Sequence, residues 1–203
     1  MDNPTRTAEF ILHRAARRQA LQATLAELLA PYARITLEIG AGHGHYLTDY
    51  AAAHPTEFCL GIDLLRDRVE RSLRKRNRAK LVNLTFMQAE AEEFVAAFPP
   101  HIVLKRIFVL FPDPWPKRRH HKNRIMQSTF LQTLASRSDA GTDLCFRTDH
   151  ADYFAAAKAV VAAHPAWQLS SSPWPFERVT VFQSRAATYE SLVAMLHEKT
   201  PKY

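Results

Sequence analysis

The sequence predicts an α/β fold: a doubly wound, mostly parallel sheet of seven strands, completed by an antiparallel strand pair towards the C-terminus. Two observations carry this. Between residues 34 and 163, short continuous apolar runs alternate with helix-like segments, the pattern of strands buried on both faces beneath crossover helices. After residue 164 the apolar runs follow one another closely, as strands joined without crossovers do.

In chain order, AEFILHRAARRQALQATLAELLA (8–30) spaces leucine and alanine as an amphipathic helix does. RITLEI (34–39) is a β-rich run ending at a glycine cluster. FCLGID (58–63), LTFMQ (84–88), RIFVLF (106–111) and DLCFRTD (143–149) are the next strands. Helix-like stretches fall between them, near 44–53, 65–79, 90–97, 124–137 and 150–163. AWQLS, VTVFQS and LVAML close the chain as candidate strands, with the Ser-Ser-Ser-Pro-Trp-Pro stretch at 170–175 between the first two.

The chain has 203 residues, which suits a single domain over 1–203 by a rule of about 150 residues per domain. The basic helix of 1–30 is expected to pack on or flank it. Hydrophobic residues at 47% and charged residues at 23% exclude a disordered or collagen-like chain. Cys59 and Cys145 lie in apolar runs, so neither a disulfide framework nor a four-thiolate zinc site is available to them. The opening MDNPTRTAEF lacks a signal-peptide core, and no apolar run has the length of a membrane span. A soluble cytoplasmic protein with no membrane association is the expectation.

Lys and Arg number 27 against 20 Asp and Glu, a net charge of +7. The excess is clustered at Arg14, Arg17 and Arg18, in RDRVERSLRKRNRAK (66–80), and in KRRHHKNR (117–124). Such clusters favour polyanionic partners through counterion release. The 66–80 run reads equally as the solvated face of a helix. The 117–124 run instead abuts a proline-rich loop, so Lys117, Arg118, Arg119, Lys122 and Arg124 are the expected contacts to a polyanionic backbone.

Gly40, Asp63, Glu90, Asp113 and Asp149 each fall at or just past the end of a predicted strand. Those ends share one edge of a parallel sheet, where ligands bind. Acids there also serve as helix caps, a competing reading for each taken singly. LEIGAGHGH (37–45) is a strand, a glycine turn and a helix start, which lets backbone amides approach a ligand. A dinucleotide fingerprint needs glycine at position 45, which is His45. The G-x-G-x-G spacing after Glu38 instead resembles the first motif of class I S-adenosylmethionine (AdoMet) methyltransferases. Asp63 suits two ribose hydroxyls and disfavours a 2′-phosphate, which leaves an NAD-dependent dehydrogenase as an alternative. Glu90 could accept from an adenine amine. The His43/His45 and His120/His121 pairs lack the spacing of a zinc site, so no metal is expected.

IFVLFPDPWPKRRHHKNR (107–124) is the most specific stretch. Prolines on both sides hold Asp113 on a stiff, non-helical loop straight after a strand. FPDPWPK, the LEIGAGHG loop and FRTDH (146–150) together resemble the bacterial tRNA (guanine-N7)-methyltransferase family, from about residue 34 to the TVFQ stretch at 180–183. The resemblance implies a Rossmann-like sheet and transfer of the AdoMet methyl group to N7 of a guanine in the tRNA variable loop, usually position 46. It implies an AdoMet pocket of Glu38, Gly40, Gly42, Asp63, Glu90 and Asp113, with Asp113 also catalytic. Lys117, Asp149, Thr180, Phe182 and Gln183 would contact the guanosine. Family members occur as monomers and homodimers. Asp63 stands where many carry Glu, Glu90 where Asp or Asn is common, and Gln183 replaces a glutamate; the tail also lacks the usual glycine-containing connection. Two other readings remain at this stage: an RNA-binding protein with a disused AdoMet pocket, and a methyltransferase acting on an exocyclic amine of a nucleobase.

Overall fold

A computed structural model describes residues 4–178 and 188–197, with side chains from residue 15 onward. The chain runs α1 (Pro4–Leu29), β1 (Arg34–Ile39), α2 (His45–Ala53), β2 (Phe58–Asp63), α3 (Arg66–Arg78), β3 (Leu84–Gln88), α4 (Ala91–Ala96) and β4 (Val103–Leu110). A 3-10 turn (Arg118–Asn123), α5 (Ser128–Ser136), β5 (Ser138–Thr148), α6 (Ala151–Ala163), β6 (Trp167–Ser170) and β7 (Glu190–Leu196) follow. The seven strands form one sheet in the order β3-β2-β1-β4-β5-β7-β6. The first five are parallel, and β7 runs antiparallel between β5 and β6. The expected architecture is therefore present.

Strand periodicity decides which side chains meet. Ile35, Leu37, Ile39, Leu60, Ile62, Ile107 and Val109 point to one face, covered by α1, α4, α5 and α6 through residues such as Leu25, Leu29, Phe94, Phe130 and Tyr153. The alternate residues Cys59, Phe108, Leu110 and Cys145 meet α2, α3 and the 174–176 segment on the other face, through Tyr46, Leu47, Tyr50, Val69, Trp174 and Phe176. Glu38 and Asp63 belong to this second set by parity. Both faces are covered, which is why the strands read as unbroken apolar runs.

Three boundaries differ from expectation. Strand β4 starts at Val103 rather than 106, across a register shift on either side of Lys105; the irregularity lets Lys105 reach Glu57 at 2.6 Å. Strand β5 starts at Ser138, in a polar stretch holding Gly141. The helix expected over 124–137 is shorter, and the basic run before it forms the 3-10 turn. The VTVFQS strand expected at 179–184 lies outside the described residues.

Candidate active site

Register carries the carboxylates to one edge. Glu38 lies beside Gly61 on β2 and Phe108 on β4, while Asp63 pairs with Gln88 and Leu110 with Arg147. Gly40, Asp63 and the 111–116 loop therefore leave the sheet at nearly one level. Sheet order reverses between β1 and β4, which opens the crevice of a doubly wound fold at that point.

The glycine turn presents an open surface there. Gly40 has φ +73°, and a Cβ on it would meet nothing within 4 Å. The left-handed backbone, and not crowding, is what requires glycine at that position. Gly44 is left-handed too (φ +65°) and is also crowded: a Cβ would lie 2.6 Å from Phe86 and 2.8 Å from Ser72, so it allows close packing against β3 and α3. Asp63 is buried, and its two oxygens accept from the Gly42 and Leu65 amides, each at 2.9 Å. Each oxygen keeps a second lone pair, so the carboxylate is rigidly aimed and still able to accept two hydroxyls.

Glu38 is only 3% exposed, and its Oε2 has no hydrogen-bond partner. Burial pushes its carboxyl up to about 8, against the opposing Leu47 amide and with the help of the nearby Asp63 charge. A buried carboxylate with an orphaned oxygen is costly. A cationic group in the crevice would supply the missing donor.

The proline loop is held from behind. Phe111 (φ +48°) and Trp115 (φ +45°) are left-handed non-glycine residues on either side of Asp113, a conformation that costs about 1–2 kcal/mol per residue. Such strain persists only where the surroundings enforce it. Here the Phe111 amide donates to the Arg147 carbonyl at 2.7 Å. Arg124 Nε donates to the Pro114 carbonyl at 2.8 Å, and its Nη2 donates to Asp152 at 2.6 Å. The same guanidinium lies 4.8 Å over the Tyr153 ring. Asp113 itself is exposed, as are Lys117, Arg118, Arg119, Lys122 and Asp149.

Comparison with known proteins bears on what this site is. A family model described as "Putative methyltransferase" matches residues 32–200. A tRNA (guanine-N(7)-)-methyltransferase of Magnetococcus marinus is 32% identical over 172 residues, which cover 82% of this chain and 68% of that protein. One from Halorhodospira halophila is 43% identical over 117 residues, covering 58% of this chain and 51% of that protein. This chain belongs to the tRNA (guanine-N7)-methyltransferase family. Among solved structures, the 16S rRNA methyltransferase KamB superposes with a TM-score of 0.63 at 16% identity, covering 86% of this chain and 93% of that one; at that identity the likeness speaks for the fold. The matched regions span from about half to about two thirds of these two relatives' own length.

Within the family pattern, Glu38, Gly40, Gly42 and Asp63 adjoin one another at the β1 and β2 tips. Glu90 is turned to its own helix: its oxygens accept from the Glu92 and Glu93 amides at 3.1 and 2.9 Å, so it is the N-cap of α4. The capping reading accounts for its position, and an adenine contact would have to use its remaining lone pairs. Arg124 corrects the expectation most clearly. It is 4% exposed and committed to Pro114 and Asp152, so it supports the Asp113 loop from within and is not a phosphate contact. Thr180, Phe182 and Gln183 lie outside the described residues. Among the described residues no cluster of His, Cys, Asp and Glu is grouped to hold a metal, and no helix is long and apolar enough to cross a membrane.

Sequence reasoning missed Arg147. It is buried on β5, two residues before Asp149, and donates to Ser191 Oγ at 2.7 Å and to Glu177 at 3.1 Å. Its guanidinium lies 4.0 Å over the Trp174 ring and 4.8 Å over that of Tyr189. The available signal was a cation inside an apolar strand, which must find partners when buried.

Proposed function

We propose that this protein transfers the methyl group of AdoMet to N7 of guanine in tRNA, at position 46 of the variable loop. The observation that carries the reading is the pairing of a rigid Asp63 with an orphaned Glu38 at the open glycine turn, beside a proline-braced Asp113. When bound, AdoMet supplies an activated methyl on a sulfonium. Asp63 accepts the two ribose hydroxyls through its free lone pairs. Glu38 takes the ammonium end as the missing partner of its Oε2, and the open faces of Gly40 and Gly42 give room for the cofactor's chain.

Guanine N7 already carries an in-plane lone pair and no proton, so the reaction needs no general base to begin. Acceleration comes from holding the acceptor in line with the methyl group. Methylation leaves positive charge on the purine, which acidifies N1–H. A carboxylate accepting from the N1 and amino edge selects guanine and stabilises that developing charge. Asp113 and Asp149 are exposed carboxylates at this edge. The guanine must leave its tertiary contacts to reach them, at a cost of a few kcal/mol, offset by phosphate contacts from Lys117, Arg118, Arg119 and Lys122. A cytoplasmic setting follows from the substrate.

The test is incubation with methyl-labelled AdoMet and an unmodified tRNA transcript, followed by nucleoside mass spectrometry. The expected product is 7-methylguanosine. A methyl group on an exocyclic amine, or tRNA binding with no AdoMet affinity, would overturn the reading.

A further inference from the structure

A groove of about 520 Å³ lies between α3 and the glycine turn, walled by Arg71, Arg74, Lys75 and Arg78 with His43 and His45 opposite. The four α3 residues follow i, i+3, i+4, i+7 and so share one helix face. No carboxylate lines the groove. The acids nearby are already engaged: Glu70 with Arg66 at 2.9 Å, and Asp49 with Arg178. Among the described residues Arg71, Arg74 and Arg78 have no ion pair. Burial, together with the Arg78 and Arg178 charges, pushes the Lys75 ammonium down to about 8, with Asp49 opposing. Positive charge is thus concentrated here, the one acid acting on Lys75 being Asp49, which is itself paired with Arg178.

The groove is also fastened to the candidate site. Lys75 Nζ donates to the His43 carbonyl at 2.8 Å, and Ser72 Oγ donates to the Gly42 carbonyl at 3.1 Å. Helix α3 starts three residues past Asp63 and covers the same sheet face as Glu38 and Asp63. The basic 3-10 turn, by contrast, leads into α5 on the opposite face.

We propose that the α3 groove binds the phosphate backbone of the RNA substrate, as a second contact separate from Lys117–Lys122. The identity of the RNA rests on the tRNA reading above. From Arg71 to Arg78 the charges extend about 10 Å along the helix, a line that matches a phosphate chain better than one small anion. Three of the four are arginine, whose planar fork fits phosphate oxygens. The two cationic zones would grip the RNA from both sides of the sheet edge.

The test is a salt series of tRNA binding by the full chain and by its Arg71→Ala/Arg74→Ala/Arg78→Ala variant. Alanine preserves the helix, and AdoMet affinity, measured by calorimetry, reports whether the fold survives. The expected result is at least a tenfold loss of tRNA affinity at low salt and a log–log salt slope shallower by about 2, with AdoMet affinity unchanged. If the triple variant loses AdoMet affinity, the single Arg74→Glu variant is read in the same way. An unchanged slope, or displacement of tRNA by polyglutamate as readily as by an RNA of equal charge, would overturn the proposal. Because the readout is binding, a shallower slope without 7-methylguanosine formation would leave the groove standing while refuting the methylation reading.

Discussion

The buried guanidinium of Arg124 donates to the carbonyl of Pro114, the residue next to Asp113, at 2.8 Å. Its second contact, to Asp152 at the start of α6, ties the proline loop to the loop carrying Asp149. The two exposed carboxylates at the crevice are thereby held on one rigid support.

Arg124→Ala is expected to lower stability by about 2–3 kcal/mol through unsatisfied buried partners. Loss of loop position should lower kcat on the order of 100-fold, with the salt slope of tRNA binding unchanged. Lysine should rescue poorly, since one ammonium cannot reproduce the fork. A fall in the salt slope, measured by filter binding, would return Arg124 to the phosphate contacts.

Asp113→Ala should abolish methyl transfer while leaving thermal stability close to the parent, because the side chain is exposed and the prolines set the loop. Single-turnover assays with saturating tRNA provide the check. Near-normal turnover would remove Asp113 from the chemistry.

Glu38 makes a pH prediction. Its folded-state carboxyl is raised to about 8 from 4.5, so between those values the native state holds a proton that the unfolded chain has lost. Stability of the ligand-free protein therefore declines as pH rises through that window, by up to roughly 1.4 kcal/mol per unit, and levels off above it. Binding an ammonium group beside Oε2 restores the charge, so AdoMet binding at pH 7 should release a proton. Calorimetry in buffers of different ionisation enthalpy measures this, and Glu38→Gln should remove both effects.

Gly44→Ala should destabilise by about 2 kcal/mol, combining the left-handed backbone with overlap on Phe86 and Ser72. Gly40→Ala lacks the overlap and should cost less. Thermal melts of the two variants separate packing from backbone strain; equal losses would contradict the distinction.

Strand and helix order from β1 to α6 was legible because each strand is apolar on both faces and each helix is not. The early halves of β4 and β5 were not legible. Lys105, Arg106, Asp139 and Gly141 interrupt the apolar pattern, and their pairing, such as Arg106 with Asp143 at 2.9 Å, depends on neighbours distant in sequence. The placement of Asp63 and Asp113 at one sheet edge was legible because parallel strands carry their ends there. Arg124 was misassigned for a physical reason: a cation in a basic run looks the same in sequence whether it faces solvent or is drawn inward by a carbonyl and a carboxylate. The acid of Glu90 was visible, while its commitment to the α4 amides depends on a side-chain rotamer.

Methyl incorporation into two tRNA transcripts, one with guanine at position 46 and one with adenine there, tests the central claim most directly. The account predicts close to one methyl group per molecule on the first and none on the second. Equal incorporation into both, or incorporation into neither by a protein that binds AdoMet, would contradict it.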